Sequence, residues 1–462
     1  MTASALTTGI VLLHLLGVFA AMHAVMHART PQGAIGWALG LMLLPYATLL
    51  PYLYLGSSRF LGYRIVHPAA PPRTLPLPAE APADPGSERY AAISALQGRA
   101  FRSGHQLRLL IDGDAAFEAM LAAMATAEHC LLVQFFIIHD DALGQRLQRI
   151  LLDRAAAGVR VCVLFDGIGS HALPQRYVDT LRAGGVAIHR FATHRWRNRL
   201  QLNFRNHRKI VVVDGARAFV GGLNVGDEYL GLKPPLAPWR DTQLELQGPA
   251  VTDLQQLFAQ DWQWITGKQP PLLPAPAAGG QASALIVACG PADPQETGSL
   301  FFTAAINAAR QRVWLSTPYF VPDHAVRAAL QLAVLRGVDV RVLIPSRPDH
   351  RTVFLASSLH AHHAVRAGIR VFRYQPGFLH QKALLIDRDT AAIGSMNLDS
   401  RSFRLNFEVA AMVVDQGFAA EVAAMLVADF SHARAVDERD YRDAPYLRRV
   451  AMQVARLFDP LL

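Results

Sequence analysis

One string occurs twice in this chain, and the repetition constrains its fold more tightly than any compositional measure. His207, Lys209 and Asp214 are followed by Gly221, Gly222 and Asn224. His380, Lys382 and Asp387 are followed by Gly394, Ser395 and Asn397. The offset from His to Asn is 17 residues in both copies. Between Lys and Asp run short aliphatic stretches, Ile210–Val213 and Ala383–Ile386, which read as buried strands. Side chains two apart on a strand share a face, so the His and Lys of each copy are expected to share a pocket. A second short apolar run then ends at Gly-Gly or Gly-Ser, where small residues let backbone N–H groups and the Asn approach an anion.

Such a set suits phosphodiester chemistry. A neutral imidazole can attack phosphorus and form a phosphohistidine. A second imidazole can protonate the departing alkoxide and then deprotonate the next acceptor. Two lysines and two asparagines can hold the non-bridging oxygens as charge moves onto them. These cations take the electrostatic role a metal fills elsewhere, so neither a metal nor a cofactor is expected. Of 45 basic residues only four are Lys, and two of those, Lys209 and Lys382, stand at the motif positions. A compact ammonium is therefore expected to matter there.

The surroundings of the motifs repeat as well. Residues 130–138 match 313–321, residues 158–166 match 337–345, and residues 185–191 match 368–374, each pair of strands separated by helical patterns. Alternating strands and helices with continuous apolar strands predict an α/β fold around a mostly parallel sheet. Neither half carries a complete acid–base pair. Two tandem α/β domains packed about a pseudo-two-fold axis are therefore expected, with His207 and His380 facing each other across one cleft. The expected bounds are 91–268 and 284–462, with a Pro/Ala-rich linker at 61–90 and a second linker at 269–283.

The N-terminal 60 residues read as a membrane hairpin. Residues 3–22 and 31–58 contain no Asp, Glu, Lys or Arg, and each stretch is long enough to span a bilayer. Helices are expected over about 3–25 and 33–56, the second kinked or re-entrant at Pro45 and Pro51. Arg29 lies in the connection, and Arg59 and Arg64 follow, which favours both ends and the catalytic domains in the cytoplasm. A hydrophobic content of 52% fits a membrane part, and a net charge of +9 fits an anionic partner, either acidic lipid or nucleic acid. The three cysteines, Cys130, Cys162 and Cys289, provide no disulfide framework.

At these residues the chain resembles the phospholipase D superfamily, and within it the bacterial cardiolipin synthases. Besides the paired motifs, the likeness is carried by 202–215, 220–231, PWRDT at 238–242, STPYFVPD at 316–323, 374–387, 394–408 and the terminal DPLL. Arg373 and Gln243 depart from the residues common in that branch. The resemblance implies a phosphatidyl transfer between two phosphatidylglycerols in a bacterial inner membrane, giving cardiolipin and glycerol. It implies His207 as nucleophile and His380 as acid and base. Lys209, Lys382, Asn224, Asn397 and Ser395 would bind phosphate, while Asp214 and Asp387, part of the motif, would brace loops and lysines. Glu228 and Glu408, each shortly after a motif Asn, are candidates to orient an imidazole. Gln134, Tyr319, Arg401 and Arg404 are candidates to line the head-group pocket. The His360, His362 and His363 group has no partner at zinc-ligand spacing, so no metal is expected. Residues 446–458 form a basic amphipathic pattern, expected to pack on the domain, with contact to a bilayer as the alternative. Two other activities use the same motifs: hydrolysis, with water as acceptor, and a membrane-anchored nuclease. The absence of an aromatic stacking pattern argues against nucleic acid.

Overall fold

The structure, a computed structural model, describes residues 3–28, 31–56, 60, 63, 88–191 and 203–462. The chain divides into two compact units: 1–69 with 193–204, and the remainder. Most of the expected linker at 61–90 lies outside the described residues.

In the smaller unit the first helix runs Ala3–His27. The second expected helix is instead two, Pro31–Leu43 and Pro45–Leu55. Pro45 lacks an N–H and restricts Leu44, so a new helix starts there, with Pro at its first position where the missing donor costs nothing. The helices meet around Ala21, Ala24, Leu41 and Tyr52. His23 Nδ1 lies 2.7 Å from the Tyr52 hydroxyl. Gly17 sits at the crossing, where a Cβ would overlap the Leu41 carbonyl. The outward faces are apolar, with Phe19, Met26, Leu43 and Leu50 exposed. Among the described residues one helix, at Thr7–His27, is long and apolar enough to cross a membrane.

The larger unit is built on one 16-stranded sheet with a palindromic order. From its centre the first half runs Arg102–Ile111, Thr242–Gln247, Arg217–Gly221, Ile210–Val213, Cys130–Phe135, Arg160–Asp166, Ala187–Phe191. The second runs Ala282–Cys289, Asn406–Val414, Thr390–Gly394, Ala383–Ile386, Arg312–Ser316, Asp339–Pro345, Arg370–Tyr374, with Ala433–Ala435 added at its edge. The repeat predicted from sequence is therefore a two-fold repeat in space, joined where Arg102 and His105 pair with Ala284 and Ala282. The sheet is mixed, not mostly parallel. Each half has two parallel pairings at its outer strands, and antiparallel pairings toward the centre. The reason is local: each His-x-Lys strand turns straight back on itself. Asp214 and Gly215 take positive φ of 49° and 65°, and Asp387 takes 52°, so the chain reverses too tightly for a crossover.

The expected domain borders also move. Tyr90, Ile93 and Phe101, at the start of the first half, are buried in the core of the second, beside Phe301 and Leu315. The strand Ala282–Cys289 begins inside the expected 269–283 linker. A third core, holding Leu244, Trp262, Ile286 and Phe418, draws on both halves under the helices Val251–Thr266 and Gln416–Ser431.

The motif aspartates work in this framework and not in the pocket. The Asp214 carboxylate accepts from the backbone N–H groups of Glu128, His129 and Cys130 at 2.7–2.8 Å. Asp387 accepts from those of Arg310, Gln311 and Arg312, and also pairs with the Arg89 guanidinium. Each therefore caps the start of the strand beside its motif, and neither bonds a motif lysine. Asp214→Ala is expected to lower stability by about 2–4 kcal/mol through three lost charge-assisted bonds and a non-Gly residue left at positive φ. A melting curve would show a drop of several degrees, with activity per folded molecule nearly unchanged.

Candidate active site

Each motif strand is entered through a short parallel pairing with the other half. Arg205–Asn206 pairs with Asn406 and Phe407, and Phe378–Leu379 pairs with Trp239–Arg240. The His207 N–H then donates to the Phe407 carbonyl at 2.9 Å, and the His380 N–H to the Arg240 carbonyl at 2.8 Å. The residue between His and Lys anchors each strand from below. Arg208 is paired with Asp261 at 2.9 Å, and Gln381 donates to Asp429 at 3.1 Å.

The acids are exchanged between halves in the same way. His207 Nδ1 lies 2.9 Å from Glu408 of the second half. His380 Nδ1 lies 2.6 Å from Asp241 of the first. Glu408 is held by the Ser395 hydroxyl at 2.5 Å, the Ser402 hydroxyl at 3.1 Å and the Asn406 amide at 3.0 Å. Asp241 accepts from the Thr242 N–H at 2.8 Å. Gly222 lies against its carboxylate with no room for a Cβ, which explains Gly-Gly in the first motif. In the second motif Ser395 takes that position and donates to the acid. Ser395 is thus an acid holder here and not one of the free phosphate donors expected. With Nδ1 engaged, Nε2 is the nitrogen of each imidazole that has no protein hydrogen bond among the described residues.

Glu228 does not orient a motif imidazole: its carboxylate pairs with His139 at 3.1 Å and Lys233 at 2.9 Å. The acid that serves His380 is Asp241, which sequence reasoning missed. The strand register shows why Asp241 is the counterpart of Glu408. Gly221 registers with Gln243 and Gly394 with Ala410, and in each half the acid stands two residues before that partner. His139, Asp141 and Glu228 are the one described trio close enough to share a metal, but Lys233 Nζ already lies 2.9 Å from both Asp141 and Glu228.

The motif lysines are buried, Lys209 completely and Lys382 to 5% exposure. Lys209 Nζ donates to the His207 carbonyl at 2.7 Å and lies over the Phe136 ring, which also makes a T-shaped contact with His207. Lys382 Nζ lies 2.7 Å from His380 Nδ1 and donates to the His380 carbonyl. Neither ammonium has an ion-pair partner among the described residues. Trp239, Phe378 and Tyr229 wall the His380 ring, with Trp239 at 5.0 Å. Asn224 is fixed by the Ile137 N–H and the Tyr229 hydroxyl, both at 3.1 Å. Asn397 Oδ1 is buried without a partner.

Electrostatics follow from burial. Both imidazoles are lowered to about 4, first by burial and then by the lysines, against the pull of their acids. Burial likewise lowers Lys382 to about 8 and Lys209 well below its usual value. Each motif ring feels the lysine of the other motif, Lys382 acting on His207 and Lys209 on His380, so the two sets share one field. For Glu408 burial pushes up, but His207 at hydrogen-bond distance, with Lys209 and the Ser395 hydroxyl, outweighs it and holds the carboxylate low.

The head-group candidates fare differently. Gln134 donates to Asn206 and Asp261 in the buried network under the first motif, both at 2.8 Å. The Tyr319 hydroxyl is taken by Asp349, and Arg404 by Glu296 at 2.8 Å. Arg401 is half-buried on the short helix Ser400–Arg404 that follows Asn397. Of the histidine group, His360 is bound to Asp459 at 2.8 Å and His362 stacks on Tyr441.

A palindromic α/β sheet with a His-x-Lys strand in each half defines the phospholipase D-like class. Comparison with known proteins narrows this. The family model "Cardiolipin synthase, PLD-like domain" matches twice, over 120–262 and 302–432, once in each half. Cardiolipin synthase A of Pseudomonas aeruginosa is 58% identical, over 97% of this chain and 95% of its own length. Cardiolipin synthase A of Pseudomonas entomophila is 55% identical, over 98% and 97%. The crystal structure of phosphatidylserine synthase from Haemophilus influenzae covers 81% of this chain and 100% of its own with a TM-score of 0.61; at 14% identity this shows a shared fold. The chain belongs to the cardiolipin synthase family of phospholipase D-like proteins.

Proposed function

We propose that this chain is a cardiolipin synthase that transfers a phosphatidyl group from one phosphatidylglycerol to another through a phosphohistidine. The observation that carries the reading is the paired set itself: two buried lysines without ion pairs beside two imidazoles, each braced by the other half's acid. A phosphodiester monoanion supplies the charge those ammonium groups lack. Its own charge also raises the affinity of a nearby imidazole for a proton. His207 Nε2 attacks phosphorus as the bond to glycerol breaks, and His380 gives its proton to the leaving oxygen. His380 then takes the proton of the second lipid's terminal hydroxyl, whose oxygen attacks phosphorus and releases His207. One phosphodiester replaces another, so no nucleotide enters. Asn224 and Asn397 flank the phosphate.

The apolar N-terminal segments support a bacterial inner-membrane location, and the arginine distribution favours both halves on the cytoplasmic face. Purified full-length protein in phosphatidylglycerol vesicles should release glycerol and cardiolipin in equal amounts. Phosphatidic acid as the main product would instead make it a hydrolase. The pH profile has a definite sign. With Lys382 near 8, loss of its ammonium should make kcat/KM fall by a further tenfold or so per pH unit above that value, on top of the dependence set by His380. Lys382→Arg keeps the charge and should remove this limb while lowering the plateau.

A further inference from the structure

The helix Tyr446–Arg456 has two apolar faces, and the fold uses one. Met452 and Ala455 are buried, Ala455 against Ala356 of the helix Arg351–Arg366. On the other side Tyr446, Leu447, Val450 and Val454 are exposed, continued by Leu457 and Phe458, with Leu447 at 79% and Leu457 at 76%. Steps of three and four place them on one stripe. Packing on the domain is thus half of the helix's pattern, and the stripe is left over. Arg448, Arg449 and Arg456 accompany it. No acidic residue occurs from 446 to 458, and none of these three arginines has an ion pair among the described residues, unlike Arg434 and Arg442 nearby. Arg449 Nε is buried with no partner.

We infer that this stripe rests on the surface of a bilayer containing anionic phospholipid. An interface takes apolar side chains into its outer acyl region and arginines among its phosphates, and Tyr446 suits the level between them. A second copy of the chain is a poorer occupant, because a two-fold contact through the same stripe sets arginine against arginine. Docking here also reaches the site. The helix Arg351–Arg366 contacts the strand Phe320–Val321, which pairs with Leu398–Asp399, immediately after Asn397. The inference does not depend on phosphatidylglycerol being the substrate.

The test uses the full chain, since its three native cysteines are buried. An environment-sensitive fluorophore is placed at Val454→Cys and, as control, at the exposed Gln145→Cys of the first half. In vesicles of mixed phosphatidylglycerol and phosphatidylcholine, the label at 454 should brighten severalfold and be quenched by lipids carrying a shallow nitroxide. The label at 145 should do neither. Arg448→Gln with Arg456→Gln should weaken that burial by roughly thirtyfold, and Leu447→Glu with Leu457→Glu should abolish it. A 454 label that stays in water while the protein is bound to these vesicles overturns the inference. So does shielding that grows with protein concentration in lipid-free detergent, which assigns the stripe to a second copy. Burial of the label without cardiolipin formation would count against the proposed reaction and leave this surface standing.

Discussion

Given phosphatidyl-p-nitrophenol, the His380→Ala enzyme is expected to release one equivalent of nitrophenolate in a burst and then stall. Nitrophenolate leaves without a general acid, so the first step should survive loss of His380. His207 is buried and neutral, and Glu408 on its Nδ1 leaves Nε2 for phosphorus. The phosphatidyl-His207 that forms then lacks a base to deprotonate the acceptor alcohol, and it accumulates. His207→Ala should give no burst. With phosphatidylglycerol, whose glycerol is a poor leaving group, either variant should lose about 10⁴-fold or more in steady-state rate, because the two groups act as a unit. Quenched-flow traces with mass spectrometry of the adduct separate the outcomes. A burst in His207→Ala and none in His380→Ala would exchange the two roles; a burst in neither would remove the covalent intermediate.

The parts of the site carried by local structure were legible in the sequence. Ile210–Val213 and Ala383–Ile386 are strands because the aliphatic run is short and bounded by a turn, and the pairing of His with Lys on one strand follows from a period of two. The repeat predicted two like halves about a pseudo-two-fold axis, though not the single continuous sheet they share. What stayed hidden depends on the other half. Glu228 is close to Asn224 in sequence, yet its carboxylate turns to His139 and Lys233, whereas Asp241 reaches His380 over 139 positions. Proximity along the chain pointed to the wrong acid because the functional pairing exists only once the halves are docked. The same holds for Tyr90 and Ile93, which stand at the start of the first half and pack in the second. The mixed sheet was readable in principle: a His-x-Lys strand that reverses in a tight turn at its Asp is not followed by a parallel neighbour.

Exchange of acids between halves gives the second large effect. Asp241→Asn and Glu408→Gln should each lower kcat by about 10³ to 10⁴, because a neutral amide no longer fixes the Nδ1–H tautomer or stabilises the imidazolium that forms during proton transfer. Glu228→Gln, the sequence-adjacent acid, should stay within about threefold. The two acids should also differ in pH behaviour. Asp241 is the strongest influence raising Lys382 against the burial that brings it down to about 8. Asn at 241 removes that charge, so the alkaline limb should move below 8, in addition to the loss of rate. Gln at 408 removes the charge that most raises both His207 and Lys209. The His207 ring should then remain neutral to still lower pH, and the loss should fall mainly on transfer and not on substrate affinity. The double variant should be little worse than the poorer single one, since each acid serves one imidazole of the same two-step reaction. Additive losses in that cycle, or a Glu228→Gln defect as large as that of Asp241→Asn, would mean that the two halves do not share a single phosphorus.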